Sequence, residues 1–502
     1  MKSTFQNITG SKPNINSNQA PGNTQPAESA TPQSQGYLRI LLPLTAMVLL
    51  IQYVETMLLP GIPVIQNYFS TTEPLVAWIT TASLIAGVAI SPLAGKLGDF
   101  WGKKNMILVV LIFYVAGVGI AGFSTSIYVL LFARALQGIG FAMTPLSLAI
   151  IADTFPKDKM ATAQGIIGVV AIIGLVIGFV VGALIIQDLG WRYAFYTSFV
   201  LSLALFGFVV KVIKKDPLCA KGKVDYIGVT TLSAGIVLAL LYLTEGPSLG
   251  WFSVESLALL TSGVIFTCYF FVYENKTTNP LIQLSVLRIR NVLVPNLVGL
   301  VSSIATFIIT YATIYYAELP KPFGLGIDVI STGLMLVPAA LVTLVAAPIV
   351  GKIVTRSGPK SMLFAGSFVM ILGFVLIIVA RFSVTGLAAA MVCAYAGIII
   401  LSIPTANMLA ISLPRDSSAV GQGVNQMLKS LGSGIGPILA TVIMASLTAP
   451  LVSVIGGQTV VVGHLPSSMA FNVIAIVGLA VMAVVMVICL ATENYIIKSP
   501  ES

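Results

Sequence analysis

Gly95-Lys96-Leu97-Gly98-Asp99-Phe100-Trp101-Gly102-Lys103-Lys104 is matched, 256 residues further along the chain, by Gly351-Lys352-Ile353-Val354-Thr355-Arg356-Ser357-Gly358-Pro359-Lys360. Four identities fall at the same offsets: Gly95 with Gly351, Lys96 with Lys352, Gly102 with Gly358 and Lys104 with Lys360. Each stretch closes one long apolar run and opens another. Eight apolar runs separate the two stretches, an even number, so both lie on the same side of whatever the runs cross. The chain therefore reads as two parallel repeats of six runs with two more inserted between them, an organisation suited to rocking one bundle against another around a central site.

The runs also identify the solvent. Of the 502 residues, 57% are apolar and 9% charged, with a mean hydropathy of +1.00; a soluble domain carries about 25% charged residues. Apolar stretches of roughly 18 to 28 residues recur throughout, each long enough to cross a hydrocarbon core of about 30 Å as a helix. They lie near 39–59, 75–94, 105–123, 126–151, 163–186, 191–210, 226–244, 255–273, 292–316, 328–349, 361–380, 385–411, 418–447 and 468–490. Their apolarity is continuous rather than alternating, which excludes a closed β-barrel. The expected fold class is an all-α integral membrane protein: two six-helix bundles plus two inserted helices. The expected division is a polar, disordered cytoplasmic tail at 1–36, an N-terminal bundle at 37–212, the inserted pair with flanking loops at 213–275, a cytoplasmic linker at 276–291, a C-terminal bundle at 292–492 and a tail at 493–502. No short apolar leader with a small-residue cleavage site precedes the first run, so the tail is expected to stay attached.

Basic residues set the orientation. With the N-terminus cytoplasmic, 21 of the 26 Lys and Arg fall on the cytoplasmic face, while Arg192, Lys321 and Arg381 face outward and Arg134 and Lys429 lie within spans. The positive-inside rule produces such an asymmetry, and it predicts an inner (cytoplasmic) membrane protein with both termini cytoplasmic. The net charge of +9 follows from this sidedness and suits contact with anionic membrane lipids. No basic groove with interleaved aromatics points to nucleic acid. Cys268, Cys393 and Cys489 fall in spans and Cys219 in a loop, and His464 is the only histidine, so neither a disulfide framework nor a metal site is expected. No phosphate-binding loop, cofactor motif or convergent nucleophile and base is present, which argues against an enzyme and against direct ATP hydrolysis.

At its first quoted stretch the chain resembles the major facilitator superfamily, and more narrowly its fourteen-spanner drug/proton antiporter subfamily. Residues 95–104 are similar to the signature G-x-L-a-D-r-x-G-r-k, with Phe100 in the place of a basic residue. Arg134-Ala135-Leu136-Gln137-Gly138-Ile139-Gly140 resembles R-x-x-q-G-x-g of span four, Gly190-Trp191-Arg192 the opening of span six, and Asn279-Pro280-Leu281-Ile282 the segment after the inserted helices. The resemblance implies a cytoplasmic gate made by Gly95, Asp99, Gly102, Lys103, Lys104, Gly351 and Arg356, with Asp99 facing the start of span thirteen; topology signalling alone is the plainer reading. Gly174, Gly178 and Gly182 form a small-residue stripe for helix packing in span five. They are similar to the antiporter motif except that Phe179 and Ala183 replace its proline and last glycine.

Charges inside spans are costly, roughly 2.5 to 3.5 kcal/mol each at mid-bilayer on insertion scales, and point to function. Glu55 lies in the outer half of span one. Desolvation favours its neutral form and a nearby cation its charged form, and Arg134 is the natural cation. The pair is expected to couple proton binding to cargo movement; a static pair holding helices together is the alternative. Val54, not Glu55, aligns with the usual aspartate, although Pro60 and Pro63 would kink this span. Gln52, Tyr53, Gln137, Tyr311, Asn407, Asn425, Gln426 and Lys429 are expected to line a substrate cavity. For Lys429 the equal alternative is snorkelling toward the cytoplasm, and for aromatics at span ends it is interface anchoring. The expected function is proton-coupled export of amphipathic or drug-like small molecules by alternating access, carried out by a monomer without cofactor. Transport of a specific metabolite, lipid or siderophore is the alternative, and a non-transporting sensor a more distant one.

Overall fold

The computed structural model describes residues 32–213, 225–277, 280, 289–412, 418–455 and 458–492. The expected tail at 1–36, the linker at 276–291 and the residues 493–502 lie wholly or largely outside the described residues. Sixteen α-helices and one β-hairpin make up the described chain. Helix α1 (Pro32–Met57) gives way at the 3-10 turn Leu59–Gly61 to the short α2 (Ile62–Phe69), with Pro60 and Pro63 at the break. Proline there supplies no amide hydrogen to the helix ladder, so the span bends. The N-terminal bundle continues with α3 (Glu73–Trp101), α4 (Lys103–Gly122), α5 (Ile127–Gly138) running through a 3-10 turn into α6 (Met143–Thr154), α7 (Lys157–Asp188) and α8 (Trp191–Val212). Next come α9 (Tyr226–Leu249) and α10 (Val254–Glu274). The C-terminal bundle is α11 (Arg290–Glu318), α12 (Val329–Ser357), α13 (Pro359–Val379), α14 (Val384–Ser412), α15 (Ser418–Ser446) and α16 (Ser468–Leu490).

Among the described residues, thirteen helical stretches are long and apolar enough to cross a membrane. Helix α3, whose described apolar part covers Glu73–Val88, occupies the place of the remaining expected span. Between α15 and α16 the chain forms an antiparallel hairpin, β1 (Thr448–Ile455) with β2 (Gln458–Pro466), which carries a bulge at Leu451/Val452. The sequence places only an outer loop there, so this small sheet is a correction to the all-helical expectation for that segment. The hairpin marks one end of the molecule; the other carries the turns at Gly102 and Gly358.

The repeat seen in sequence is repeated in packing. Helix α1 packs on α7 as α11 does on α15, α3 on α5 as α12 on α14, α4 on α8 as α13 on α16. The most extensive contacts between the bundles are α3 with α15 and α7 with α12, and the same pseudo-symmetry relates them. The inserted α9 lies in the groove between α3 and α15, where Val229, Leu232 and Phe270 close against Val88, Val424 and Met427. Among the described residues, the hydrogen bonds between bundles lie in the hairpin half. Thr81 Oγ1 donates to Gly434 O at 2.8 Å, Tyr315 to Gln66 Oε1 at 2.7 Å, and Ile330 N to Gln187 Oε1 at 2.9 Å. Toward the opposite end Gly165, Gly168 and Gly351 face open space, since a methyl group built on any of them would meet nothing within 4 Å.

Candidate functional site

Glycines bring the site together. A methyl group on Gly138 would overlap the carbonyl of Ser83, so only glycine lets α5 approach α3 this closely. One turn earlier on the same face of α5 stands Arg134, which the approach delivers to α3. On the other side of α5, a methyl on Gly117 would lie 2.8 Å from Ala133 O and 2.9 Å from Gln137 N, so α4 is equally close.

Arg134 is fully buried and engaged along its whole guanidinium. Its Nε donates to Ile79 O at 2.8 Å, Nη1 to Gln137 Oε1 at 2.7 Å, and Nη2 to Glu55 Oε2 at 2.7 Å and Ser83 Oγ at 2.9 Å. Ser83 Oγ lies 3.0 Å from Glu55 Oε2 and 2.9 Å from the Thr80 carbonyl, so its one hydrogen can be donated to either. The Glu55 side chain keeps 13% exposure against 1% for Arg134, so the carboxylate is the member of the pair that a small solute can reach. Joined, the two charges sum to zero, which lets the arginine sit inside a membrane span. Thr80, whose carbonyl faces Ser83, accepts a 2.6 Å hydrogen bond from Tyr311 of the other bundle. Thr80 therefore takes part in both contacts, through its carbonyl toward Ser83 and its hydroxyl toward Tyr311, and Glu55 reaches the contact between bundles by way of these residues.

The other expected site residues divide by location. Gln137, expected on a cavity wall, is 1% exposed, and its amide donates to Gly117 O at 3.1 Å while its oxygen accepts from Arg134, so it belongs to the interior of the N-terminal bundle. Tyr53 is likewise buried, with Thr197 and Ser198 of α8 at its hydroxyl. Gln52 is half-buried where α1 meets Gly174 of α7. Gly178 and Gly182 continue that contact; a methyl on Gly182 would lie 2.5 Å from Met57 Cα and O. Asn425 is buried in the C-terminal bundle, its Nδ2 donating to Pro295 O at 3.1 Å and Asn296 Oδ1 at 3.2 Å. Lys429 lies one turn further along α15, its stem over Gly299 of α11, while Asn407 is half-buried on α14 and Gln426 is exposed.

At the end opposite the hairpin, Gly102 (φ +88°) and Gly358 (φ +77°) make the turns into α4 and α13. Lys103 pairs with Asp153 of α6, and Lys104 Nζ donates to Val210 O of α8 at 2.9 Å. The side chains of Asp99 and Arg356 lie outside the described residues. Three participants in the site had no counterpart in the sequence reading: Ser83, Thr80 and the Ile79 carbonyl. Membrane-buried hydroxyls usually bond their own helix, so composition alone does not single them out.

Comparison with known proteins follows the same lines. The model of the Major Facilitator Superfamily matches residues 44–437. The chain is 26% identical over 376 residues to the multidrug transporter protein MdtP of Bacillus subtilis, covering 74% of this chain and 68% of that one. It is 26% identical over 391 residues to the tetracenomycin C resistance and export protein of Streptomyces glaucescens, covering 76% and 71%. Among solved structures, a point mutant of the nucleoside transporter NupG superposes with a TM-score of 0.63 at 12% identity, over 90% of this chain and 99% of NupG. That likeness is one of fold.

Proposed function

The chain belongs to the Major Facilitator Superfamily, and from that premise we propose that it is a proton-coupled exporter of amphipathic, drug-like compounds working by alternating access. Relatives described as multidrug, resistance and export proteins support the export direction and the cargo class. The observation that carries the coupling is the path from Glu55 through Ser83 and Thr80 to Tyr311. When Glu55 takes up a proton, its attraction for Arg134 falls and the Ser83 hydroxyl is released to its own helix. The segment of α3 that holds Tyr311 then loses one of its two anchors, and the contact between bundles loosens. Cargo bound between the bundles favours the reverse, and the exchange of one for the other drives the cycle.

The reading places both termini in the cytoplasm of a cell whose inner membrane holds the protein, on the asymmetry of the basic residues. Under it, the hairpin faces outward, and the hydrogen bonds between bundles in the hairpin half lie on the outer side. Gly95, Asp99, Gly102, Lys103, Lys104, Gly351 and Arg356 then belong to the gate that shuts on the cytoplasmic side. A monomer suffices, because one chain supplies both bundles, and lipid covers the exposed apolar faces.

The test is dye flux in proteoliposomes. Purified protein is expected to move rhodamine 123 when a pH gradient is imposed, and Glu55→Gln is expected to abolish the dependence on that gradient while leaving dye binding measurable. Gradient-driven flux that survives in Glu55→Gln would refute the role given to this carboxylate.

A further inference from the structure

Helix α15 has four sides, and its contacts identify each. Asn425, Lys429, Gly432 and Gly436 meet α11: methyls built on Gly436 and Gly299 would strike, respectively, the Ile304 carbonyl at 2.7 Å and the Lys429 Cγ at 3.1 Å. Gly434 and Met427 meet α3, at Thr81 and Val88. Leu428 and Leu431 pack where α9 covers the groove. The remaining side carries Gln426, Ser430 and Ser433, exposed or half-buried. It lies opposite the inserted helix and between the faces that touch the two bundles, so it opens on the gap between them.

Lys429 sits at the edge of this polar side, about 17 Å from the first residue of α15 at 1.5 Å per residue. Among the described residues it pairs with no carboxylate; the two ion pairs found there are Glu55 with Arg134 and Lys103 with Asp153. Nor do the side chains of Gln426 and Ser430 have hydrogen-bond partners among the described residues. Glu55 and Arg134 cancel, so among the described residues on this side of α15 the ammonium of Lys429 has no carboxylate to balance it. An unpaired ammonium inside a membrane span is costly and ordinarily marks a ligand or ion pathway. A cargo anion would relieve that cost, and an amide and a hydroxyl beside the ammonium can both donate to its oxygens.

We infer that Lys429, with Gln426 and Ser430, forms an anion-binding subsite, and that the cargo carries a carboxylate or similar anionic group beside its apolar body. The inference rests on the export reading and narrows it, since a drug exporter without this lysine would have no reason to prefer acids. Once bound, the anion neutralises Lys429, and the loaded cavity becomes as nearly charge-balanced as the Glu55–Arg134 site.

The experiment compares two probes of similar size and opposite charge, fluorescein as the anion and rhodamine 123 as the cation, in proteoliposomes holding the full chain. Wild type is expected to move fluorescein. Lys429→Met should lower the ratio of fluorescein to rhodamine initial rates by about tenfold, a change typical of losing a charge-assisted contact. Lys429→Arg, which keeps the charge, should restore most of the ratio and serves as the folding control. Rhodamine movement in wild type without fluorescein movement overturns the subsite and leaves export standing, as does an unchanged ratio in Lys429→Met. Movement of neither probe by wild type sinks both readings together.

Discussion

Tyr311 of α11 donates its hydroxyl to Thr80 Oγ1 of α3 at 2.6 Å, fastening one bundle to the other one turn from Ser83. Both residues are buried, so water does not compete for the bond. Within the hairpin half it is the hydrogen bond between bundles that stands nearest to the Glu55–Arg134 pair. Tyr311→Phe removes the donor and preserves the ring. A buried neutral hydrogen bond contributes about 0.5 to 1.5 kcal/mol net, so the population closed at the hairpin end should fall about 2- to 12-fold relative to the open one. Spin labels at Asn67 and Asp328, exposed on opposite bundles at that end, report the change as a longer distance distribution. An unchanged distribution would remove this bond from any account of closure.

Arg134 is held by four acceptors, and only one of them is charged. Removing the arginine strands Glu55 and leaves the Ile79 carbonyl and the Gln137 oxygen without their partner, whereas neutralising Glu55 leaves three of the four bonds in place. Breaking a buried pair from one side typically costs about 3 to 5 kcal/mol. Arg134→Leu should therefore lower thermal stability in detergent well below that of Glu55→Gln. The double variant should recover part of the loss, because no uncompensated charge remains. Equal stability of the two single variants would show that the hydrogen bonds to Ile79 and Gln137 contribute little.

Helix α7 supplies its own control for the packing reading. A methyl on Gly182 would press on Met57 at 2.5 Å and one on Gly174 on the Leu49 carbonyl at 2.6 Å, while one on Gly165 would meet nothing within 4 Å. Backbone atoms cannot move aside as a side-chain end can. Gly182→Ala is expected to destabilise the protein by about 1 to 3 kcal/mol, the usual cost of overpacking. Gly165→Ala should be neutral or stabilising by about 0.5 to 1 kcal/mol, because alanine favours the helix. Matched melting curves decide it, and equal shifts in the two variants would contradict the close approach of α7 to α1.

The membrane-length helices and the two-fold repeat were legible because each rests on local chemistry: an apolar run must be long enough to cross, and a glycine must recur where the chain turns. The pairing of Glu55 with Arg134 was legible for the same kind of reason, since an intramembrane charge requires a partner and few were on offer. What escaped was set by geometry between distant segments. Nothing in the residue type of Thr80 or Ser83 announces that a helix from the other bundle or an arginine will reach it. Tyr311 read as cavity wall because its partner lies 231 residues away. The hairpin escaped for a different reason. Val454-Ile455-Gly456-Gly457-Gln458-Thr459-Val460 carries the β-branched and Gly-Gly pattern of a turn between strands, but a reading keyed to long apolar runs passed over it.

The repeat makes one more claim, about the turns themselves. Gly102 and Gly358 occupy the same offset in the two quoted stretches and adopt the same kind of backbone, φ +88° with ψ 136° and φ +77° with ψ 163°. Residues with a side chain are strained there by about 1 to 3 kcal/mol, whereas glycine enters freely. Gly351, at the first matched offset, lies within α12 and has open space around it. Gly102→Ala and Gly358→Ala should each lower the melting temperature by a similar amount, and Gly351→Ala should leave it unchanged or raise it. If the two turn substitutions differ sharply, with one tolerated and the other not, the two stretches are not structural equivalents and the pairing of the halves through them fails.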